Sequence, residues 1–427
     1  MQLNQKFIVD DPANFKLKAL HWANSFKTAC YLDSNGFSDR YSAFDVLIAA
    51  GAETILETES GSAFEQLSKF LEQHKSFIPG YFSYDLKNET EKLHSNNPDY
   101  LQFPQLCFFL PKNLILVKGN EVTVTALNPI EIYDTINNVK PSTEKDSKIK
   151  FSGKIKSRFN RREYINTVKQ LKWHIQRGDI YEINLCQEFF AENVALDPIY
   201  AFKELNKISP TPFSNYFKID DRYIISATPE RFLSKRGNKL ISQPIKGTAK
   251  RSLIVEEDES SKISLRNNEK ELSENVMIVD LVRNDLSKSA KSGTVKVEEL
   301  FGIYSFKQVH QMISTVVCEV METLSNAQII SNTFPMGSMT GAPKIEAMKL
   351  IEQYERTKRG VYSGALGYFS PDGDFDFNVV IRTLLYNSKT KYLSFQAGSA
   401  ITIDADAELE YEECLLKAQA INEVLSQ

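Results

Sequence analysis

The 427-residue sequence predicts an α+β fold, because helix-like and strand-like segments are interspersed without a repeat period. Strand-like runs such as RYIISA, GALGYF, NVVIRTLLY and YLSFQAG lie between helical patterns at 268–290, 343–356 and 406–425. The composition, with 42% hydrophobic and 25% charged residues, is that of an ordinary globular protein. A net charge of −4 gives no reason to expect nucleic-acid binding.

The amino-terminal part and a polar segment after it indicate the domain organisation. Residues 1 to about 130 alternate short apolar runs with turn signals, which predicts a mixed sheet with a few helices. The lysine-rich segment at 137–157 is poor in apolar residues and is the predicted linker. We therefore expect an amino-terminal region at 1–140 and a catalytic domain at 155–427, closely packed on each other.

A helix and a strand are predicted directly after the linker. In INTVKQLKWHIQRGD the apolar residues recur at helical spacing, and Gly178 is a natural residue just past a helix end. In IYEINLCQEF the side chains alternate, so that Ile183 and Leu185 share one face while Glu182 and Asn184 share the other.

Cysteine usage and the chain start predict the compartment. The five cysteines lie far apart without a CxxC pair, which argues against a zinc site and a disulfide framework. The start, MQLNQKFIVDDPANFK, has no secretory or lipidation signal, and no run of 18 apolar residues follows. We expect a cytoplasmic protein without membrane contact.

Two predicted helices carry acidic residues on one face. The helix NEKELSENVMIVDLVRNDL places Glu271 and Glu274 one turn apart. Its predicted buried residues are Leu272, Val276, Val279 and Leu286. The last helix places Glu410, Glu413 and Lys417 on one face. Its predicted core-facing residues are Leu409, Leu416 and Ala420.

These acidic faces allow two interpretations. Each could be an ordinary solvated surface. Brought together, they would offer only hard oxygen ligands, which suits Mg²⁺, whereas scattered histidines make a transition metal a poor match.

A glycine-rich segment, GSMTGAPK, stands before the helix predicted at 343–356. A helix start presents free backbone N–H groups to an anion, and Ser338 or Thr340 could add hydroxyl donors. The segment does not match GxxxxGK[ST], because Ala342 stands at the position of the second glycine. Carboxylate binding and simple helix capping both remain open.

Two further side chains could bind an acidic ligand. Arg382 is a lone charge in the apolar run VVIRTLL, so it needs either a structural carboxylate partner or an acid ligand. His310 lies among apolar residues and could equally be a satisfied core histidine.

A lysine and a glutamate could take part in catalysis directly. Lys246, in SQPIKGTAKR, follows a strand-like run that predicts a partly buried amine, which could act as a nucleophile. Glu230, in ISATPERFL, could act as a general acid if burial raised its pKa. The alternative is a surface ion pair between Glu230 and Arg231.

In order across 160–425, the chain carries segments that resemble the chorismate-utilising enzymes, the family of anthranilate synthase large subunits, isochorismate synthases and aminodeoxychorismate synthase component one. These segments are GDIYEINLCQEF, SATPERFL, PIKGT, ELSENVMIVDLVRNDL, VHQMISTV, GSMTGAPK, YSGALGYF, IRTLL, QAGSAI and EYEECLLKA. The resemblance implies an α+β fold with two large, mostly antiparallel sheets packed as a sandwich and helices outside. The first 130 residues match the family more loosely, through YLDS, FDVLIAAG and GYFSYDL.

The resemblance also implies roles for site residues. Glu274 and Glu413 would ligate Mg²⁺ directly, Glu271 and Glu410 would support them through water, and the ion would hold the ring carboxylate of chorismate. The implied anchors of the enolpyruvyl carboxylate and ring are Arg382, Tyr362, Lys417 and the backbone around Gly398. The implied pocket lining is His310, Ser338 and Thr340.

Two positions separate the branches of the family. Isochorismate and salicylate synthases carry a lysine base where this chain has Glu182, which disfavours that branch. Anthranilate synthases usually have alanine at the position of Lys246, whereas PIKGT resembles the aminodeoxychorismate branch, of p-aminobenzoate and folate synthesis. That branch implies that Lys246 attacks the ring while Glu230 protonates the leaving hydroxyl, and that the nearby cation and burial lower the pKa of Lys246.

Ammonia and regulation raise separate questions. None of the cysteines lies in an amidotransferase-type turn, so a separate glutaminase subunit is expected to deliver ammonia. Anthranilate synthesis is the nearest alternative activity; a non-catalytic chorismate-binding subunit and a lysine–pyridoxal enzyme are more distant ones. Tryptophan binding by the amino-terminal region stays open.

Overall fold

The structure is a computed structural model, and it describes residues 2–59, 61–141, 150–307 and 309–426. The strands are Leu3–Ile8 (β1), Thr28–Asp33 (β2), Val46–Thr58 (β3), Ile78–Phe82 (β4), Leu106–Lys118 (β5), Glu121–Ala126 (β6), Phe151–Ser152 (β7), Lys156–Ser157 (β8), Glu182–Glu192 (β9), Ala195–Leu196 (β10), Phe213–Ile219 (β11), Arg222–Thr228 (β12), Arg231–Arg236 (β13), Lys239–Gln243 (β14), Ile245–Lys250 (β15), Lys296–Ser305 (β16), Val309–Glu319 (β17), Gly341–Ala342 (β18), Ala365–Phe369 (β19), Phe375–Val379 (β20), Thr383–Asn387 (β21) and Tyr392–Ile401 (β22). The α-helices are Pro12–Asn24 (α1), Ala63–Gln73 (α2), Lys87–Thr90 (α3), Pro129–Asn138 (α4), Arg161–Arg177 (α5), Pro198–Ile208 (α6), Val255–Arg266 (α7), Glu269–Ser287 (α8), Asn326–Thr333 (α9), Lys344–Tyr354 (α10) and Ala407–Ser426 (α11).

The strands pair antiparallel and confirm the α+β class. A network of 20 strands is joined by hydrogen bonds, and β7 and β10 form a separate two-stranded ribbon. One hydrophobic cluster unites Leu47 and Ala49 of β3 with Phe377 of β20. A second cluster lies on the other side of β3, where Ile48 packs with residues of α1, α5, α6 and α11. Helices therefore cover the outer face of the folded sheet.

The sheet continues across the predicted domain boundary. Tyr31 of β2 faces Tyr216 of β11, and Tyr81 of β4 faces Leu366 of β19. The predicted linker at 137–157 includes residues 142–149, which lie outside the described residues. The division into 1–140 and 155–427 stays a prediction.

Several helices occur where the sequence predicts them. Helix α5 begins with a capping box at Asn160 and ends at Gly178, whose φ of 86° is left-handed. Helices α8 and α10 fall within the segments predicted from helical spacing, and α11 extends one residue beyond its predicted segment, to Ser426. No helix in the described part of the chain is long and apolar enough to cross a membrane.

The rotation of α11 differs from the prediction. Its buried residues include Glu410, Cys414 and Ala418, spaced four apart, and this stripe packs against β22. Leu409 and Leu416 lie beside the stripe and are exposed, so the prediction that they face the core is wrong. The core-facing stripe therefore carries a site carboxylate inward.

Helix α8 differs from its prediction in part. Val279 and Leu286 are buried as predicted, but Val276 is exposed and Leu272 is half-buried. Asn275 is buried instead and accepts a hydrogen bond from the Ser314 hydroxyl of β17. The hydrogen bond between Asn275 and Ser314 thus lies on the face of α8 that packs against β17.

Candidate functional site

Four elements converge on a cluster of charged side chains. Helix α8 packs against β15 and β17, while α11 packs against β22, the neighbour of β9. These contacts bring Lys246 of β15 and Glu182 of β9 close to the carboxylates of both helices. The cluster is assembled by tertiary contacts from segments far apart in the sequence.

The two acidic helix faces meet through a lysine. The Nζ atom of Lys270 lies 3.8 Å from Glu274 Oε1 on its own helix, α8, and 3.7 Å from Glu410 Oε1 on α11. Burial, followed by lysine charges that oppose it, leaves the pKa of Glu271 and of Glu274 above the usual value. Burial and then the charge of Glu413 raise the pKa of Glu410 as well. These carboxylates are held in an environment that favours a neutralising cation.

Glu413 is the member of the set with its own close counter-ion. Lys417 Nζ lies 2.6 Å from Glu413 Oε1 and donates to the carbonyl oxygen of Gly398 at 2.8 Å. Burial alone would raise the pKa of Glu413, but the charge and hydrogen bond of Lys417, together with the charges of Lys270 and Lys246, outweigh it, so the pKa lies below its usual value. The ion pair ties α11 to β22 at the predicted ring-anchoring glycine.

The donor set fits Mg²⁺ in its chemistry. Glu271, Glu274, Glu410 and Glu413 offer only carboxylate oxygens, the ligands that Mg²⁺ prefers. Within the described ranges, no three histidine, cysteine, aspartate or glutamate side chains are already arranged as a metal-binding group. Residues of α8 and α11 would have to draw together around the ion.

Lys246 is held as an ammonium ion in the ligand-free chain. Its Nζ atom donates to Glu182 Oε1 at 2.9 Å and lies 3.9 Å from Glu274 Oε2. Burial acts to lower the pKa of Lys246, but the charges of Glu182 and Glu274 outweigh it and raise that pKa. The prediction of a lowered pKa is therefore wrong for this state, because two carboxylates surround the amine.

Glu230 meets the requirement for a general acid near neutral pH. It is buried, and burial raises its pKa to about 7 against the opposing effects of Ser338, Lys246, Arg382 and Lys417. The alternative of a surface pair with Arg231 is excluded, because the buried Arg231 guanidinium binds Asp376 and Asp39 instead.

Arg382 occupies a bend rather than a strand. Strand β20 ends at Val379 and β21 begins at Thr383, and between them Arg382 has a left-handed φ of 49°. The prediction that it lies inside an apolar strand is wrong. Across the described residues it forms no ion pair, and burial lowers its pKa, with the Glu230 charge opposing. A half-buried arginine without a close counter-ion is suited to an anionic ligand.

Gly398 is tightly enclosed by β9. A Cβ atom there would lie 2.4 Å from Asn184 Oδ1 and 2.5 Å from Cys186 Sγ, so no larger residue fits without moving these two side chains. Cys186 Sγ also lies 3.8 Å from the hydroxyl oxygen of Tyr362, which places that buried phenol behind the same strand.

Replacement of Gly398 with alanine is expected to destabilise the chain by about 1–3 kcal/mol, because the Asn184 and Cys186 side chains must move and the backbone of β9 must shift slightly. The carbonyl oxygen that accepts from Lys417 would move as well. Thermal unfolding and chorismate binding measured by calorimetry check both effects. An unchanged midpoint together with unchanged chorismate affinity would contradict the close packing.

The remaining predicted pocket residues differ in what their side chains contact. Ser338 interacts with Glu230. The Thr340 hydroxyl donates to the carbonyl oxygens of Met336 and Gly337, while its own carbonyl accepts from Asn184 N–H. Thr340 thus fastens the glycine-rich loop to β9, and its role in lining the pocket stays a prediction.

His310 is completely buried between two partners. Its Nδ1 atom lies 2.9 Å from Ser305 Oγ and its Nε2 atom 2.9 Å from Asp258 Oδ1. These contacts are those of a satisfied core histidine, the alternative raised by the sequence. A ligand-lining role for His310 stays a prediction.

Several residues at this site were not foreseen from the sequence. Glu182 was noted for what it replaces, but not as the partner of Lys246. The buried pair of Arg359 and Glu355 was also missed: Arg359 donates to the carbonyl oxygens of Met339 and Asn184, and Glu355 accepts from Cys186 N–H. Both residues follow the end of α10 in the charged run ERTKR, so nothing in the sequence marked this pair as buried.

Comparison with known proteins decides the family. A family model described as chorismate binding enzyme matches residues 27–423. The chain belongs to the chorismate-binding enzymes. It is 30% identical over 450 residues to aminodeoxychorismate synthase component 1 of Escherichia coli, covering 98% of this chain and 96% of that protein.

Other members of this family are equally similar. Anthranilate synthase component 1 of Cereibacter sphaeroides is 32% identical over 362 residues, covering 80% of this chain and 72% of that protein. The crystal structure of anthranilate synthase component I from Streptococcus pneumoniae superposes with a TM-score of 0.77 at 24% identity, covering 90% and 95% of the two chains, and confirms the fold. Identity alone does not separate the two activities, so the distinction depends on the site residues.

Proposed function

We propose that this chorismate-binding enzyme converts chorismate and ammonia to 4-amino-4-deoxychorismate, by amino-group transfer to the ring. The observation that carries the proposal is the buried Lys246, paired with Glu182 in the same charged site as Glu230. An amine in that position offers a nucleophile that the sequence of the anthranilate branch usually lacks.

The proposed site binds chorismate through opposite charges. Glu274 and Glu413, supported by Glu271 and Glu410, would hold Mg²⁺, which when bound would neutralise the ring carboxylate. Arg382 would bind the enolpyruvyl carboxylate, since it is half-buried and free of a close counter-ion among the described residues. The other implied contacts are those of Tyr362, Lys417, Gly398, His310, Ser338 and Thr340.

The first proposed step joins Lys246 to the ring. Glu182, whose oxygen lies 2.9 Å from the amine, accepts the proton that Lys246 must lose. The amine forms a C–N bond at the carbon next to the carboxylate-bearing carbon, and the ring double bonds shift. The C4–O bond breaks, and Glu230 protonates the leaving hydroxyl, which departs as water.

The second proposed step exchanges the amines. Ammonia bonds to C4, the double bonds shift back, and the C–N bond to Lys246 breaks. Two successive shifts place the new amine where the hydroxyl was. The product would supply p-aminobenzoate, and hence folate, after the action of a separate lyase.

A separate glutamine amidotransferase subunit is the proposed source of ammonia. Two of the relatives have names that end in component 1, which supports a second component. The cysteines Cys30, Cys107, Cys186, Cys318 and Cys414 are all buried and free. Burial raises the pKa of each of these thiols, so none is suited to act as a glutaminase nucleophile. A cytoplasmic location remains part of the proposal.

The test is the identity of the product. The purified chain is incubated with chorismate, Mg²⁺ and an ammonium salt, and products are separated and identified by mass spectrometry, with and without the downstream lyase. Aminodeoxychorismate that the lyase converts to p-aminobenzoate supports the proposal. Anthranilate would overturn it in favour of the alternative that the 32% identical relative represents.

A further inference from the structure

Lys270 connects the two acidic helices in the resting chain. It stands in the first turn of α8, and its Nζ atom lies within 4 Å of Glu274 on α8 and of Glu410 on α11. The carboxylates are well shielded, since the side chains of Glu274 and Glu410 are 12% and 4% exposed. The lysine side chain is 56% exposed, so most of its stem is in water.

Carboxylates in this position need a cation nearby. The side chains of Glu274 and Glu410 have little contact with water, so a negative charge there is costly without a nearby positive charge. Lys270 supplies a positive charge from the surface without being anchored there. Lys417 differs, because the Gly398 carbonyl and Glu413 both hold its ammonium.

A metal ion and Lys270 would compete for the same oxygens. The ammonium binds one oxygen each of Glu274 and Glu410, and a divalent cation among these carboxylates would lie within a few ångströms of it. Two positive charges at such a distance repel each other by more than the small gain of an exposed ion pair. A long, flexible side chain can relieve the repulsion by turning into water.

We propose that Lys270 is a tethered cation that neutralises the α8 and α11 carboxylates in the resting chain and must swing out when a divalent cation binds. The inference rests on the metal role of these carboxylates in the proposed function, though not on the identity of the product. Its consequence is weak metal binding by the free chain. Chorismate, which adds its own carboxylate, would then shift the competition toward the metal.

The test measures Mg²⁺ binding without chorismate. Isothermal titration calorimetry of Mg²⁺ alone into Lys270→Met is expected to show a Kd about tenfold lower than in the parent chain, because the competing charge is gone. Lys270→Arg keeps the charge and is expected to keep the parent affinity. Lys349→Met is the matched control, since it also removes a half-exposed lysine that is paired with a glutamate, Glu346, on its own helix.

A second measurement follows stability in the absence of metal. In EDTA, the thermal midpoint of Lys270→Met is expected to lie below that of the parent chain. Added Mg²⁺ is expected to raise the midpoint of Lys270→Met by more than it raises the midpoint of the parent chain. Lys270→Gln serves as a second neutral variant if the methionine variant folds poorly.

Three results would overturn the inference: equal or weaker Mg²⁺ binding by both neutral variants, tightened binding by Lys270→Arg, and no Mg²⁺ binding by parent and variants alike. Formation of anthranilate would overturn the proposed product while leaving the calorimetric result standing. The two failures are therefore distinguishable.

Discussion

Replacement of Lys246 with methionine is expected to lower kcat with chorismate and ammonium by at least about 10³-fold, because the proposed reaction begins with its amine. Methionine keeps an unbranched side chain but has no amine to act as the nucleophile. Steady-state kinetics with product detection by mass spectrometry give kcat and the KM for chorismate separately. The effect should fall mainly on kcat, since Lys246 acts on the ring during the reaction.

The control lies on the same strand. Lys250 is exposed at the end of β15, and Lys250→Met is expected to leave both constants within about twofold of the parent values, as an exposed substitution away from the site should. Full activity in Lys246→Met would remove the lysine from the mechanism. Trapping of a covalent ring adduct on Lys246, seen as a mass increase of its peptide, would be direct support.

Loss of folding must be distinguished from loss of chemistry. Methionine at 246 leaves Glu182, which is 2% exposed, without its ion partner, and an uncompensated buried charge destabilises a protein. The double variant Lys246→Met/Glu182→Gln removes both charges and is expected to recover most of the lost thermal midpoint. It should remain as inactive as the single variant.

The ion pair of Lys246 with Glu182 also explains why the predicted direction of the pKa shift of Lys246 was wrong. Burial alone would lower that pKa, and the sequence pattern around PIKGT indicated only the burial. Glu182 stands 64 residues earlier in the chain, and β9 reaches the amine only because the sheet folds over. Charges brought together by tertiary structure cannot be read from local spacing.

Local signals, in contrast, predicted the elements themselves well. Gly178 marks the end of α5 as predicted, and the pair Glu271 and Glu274 lies on one helix face, as the spacing requires, whereas the capping box at Asn160 that begins α5 was not predicted. The rotation of α11 was less predictable, because Leu409 and Leu416 form an apolar face as plausible as the one that is buried. Packing against β22 selected the stripe through Cys414 and thereby buried Glu410.

Replacement of Glu230 with glutamine is expected to lower kcat by about 10²–10⁴-fold, because glutamine cannot protonate the leaving hydroxyl. The parent should be most active where Glu230 is protonated, so its kcat should decline as the pH rises through about 7. The residual rate of Glu230→Gln should lack that decline. The exposed Glu319→Gln, on β17, is the control, and a parent pH profile that is flat between pH 6 and 8 would contradict the general-acid role.

The same substitution is expected to stabilise the chain above neutral pH. The pKa of Glu230 is about 7 when folded and 4.5 ordinarily, so the stability contributed by its neutral form is fully present below about 4.5 and is lost as the pH rises through about 7. That difference corresponds to roughly 3 kcal/mol. Glutamine has no charge to bury, so Glu230→Gln should exceed the parent in free energy of unfolding at pH 8 by roughly that amount and match it near pH 4. Denaturant titrations at the two pH values measure both differences. A variant that gains stability while losing turnover would show that the buried carboxyl is kept for its proton rather than for the fold.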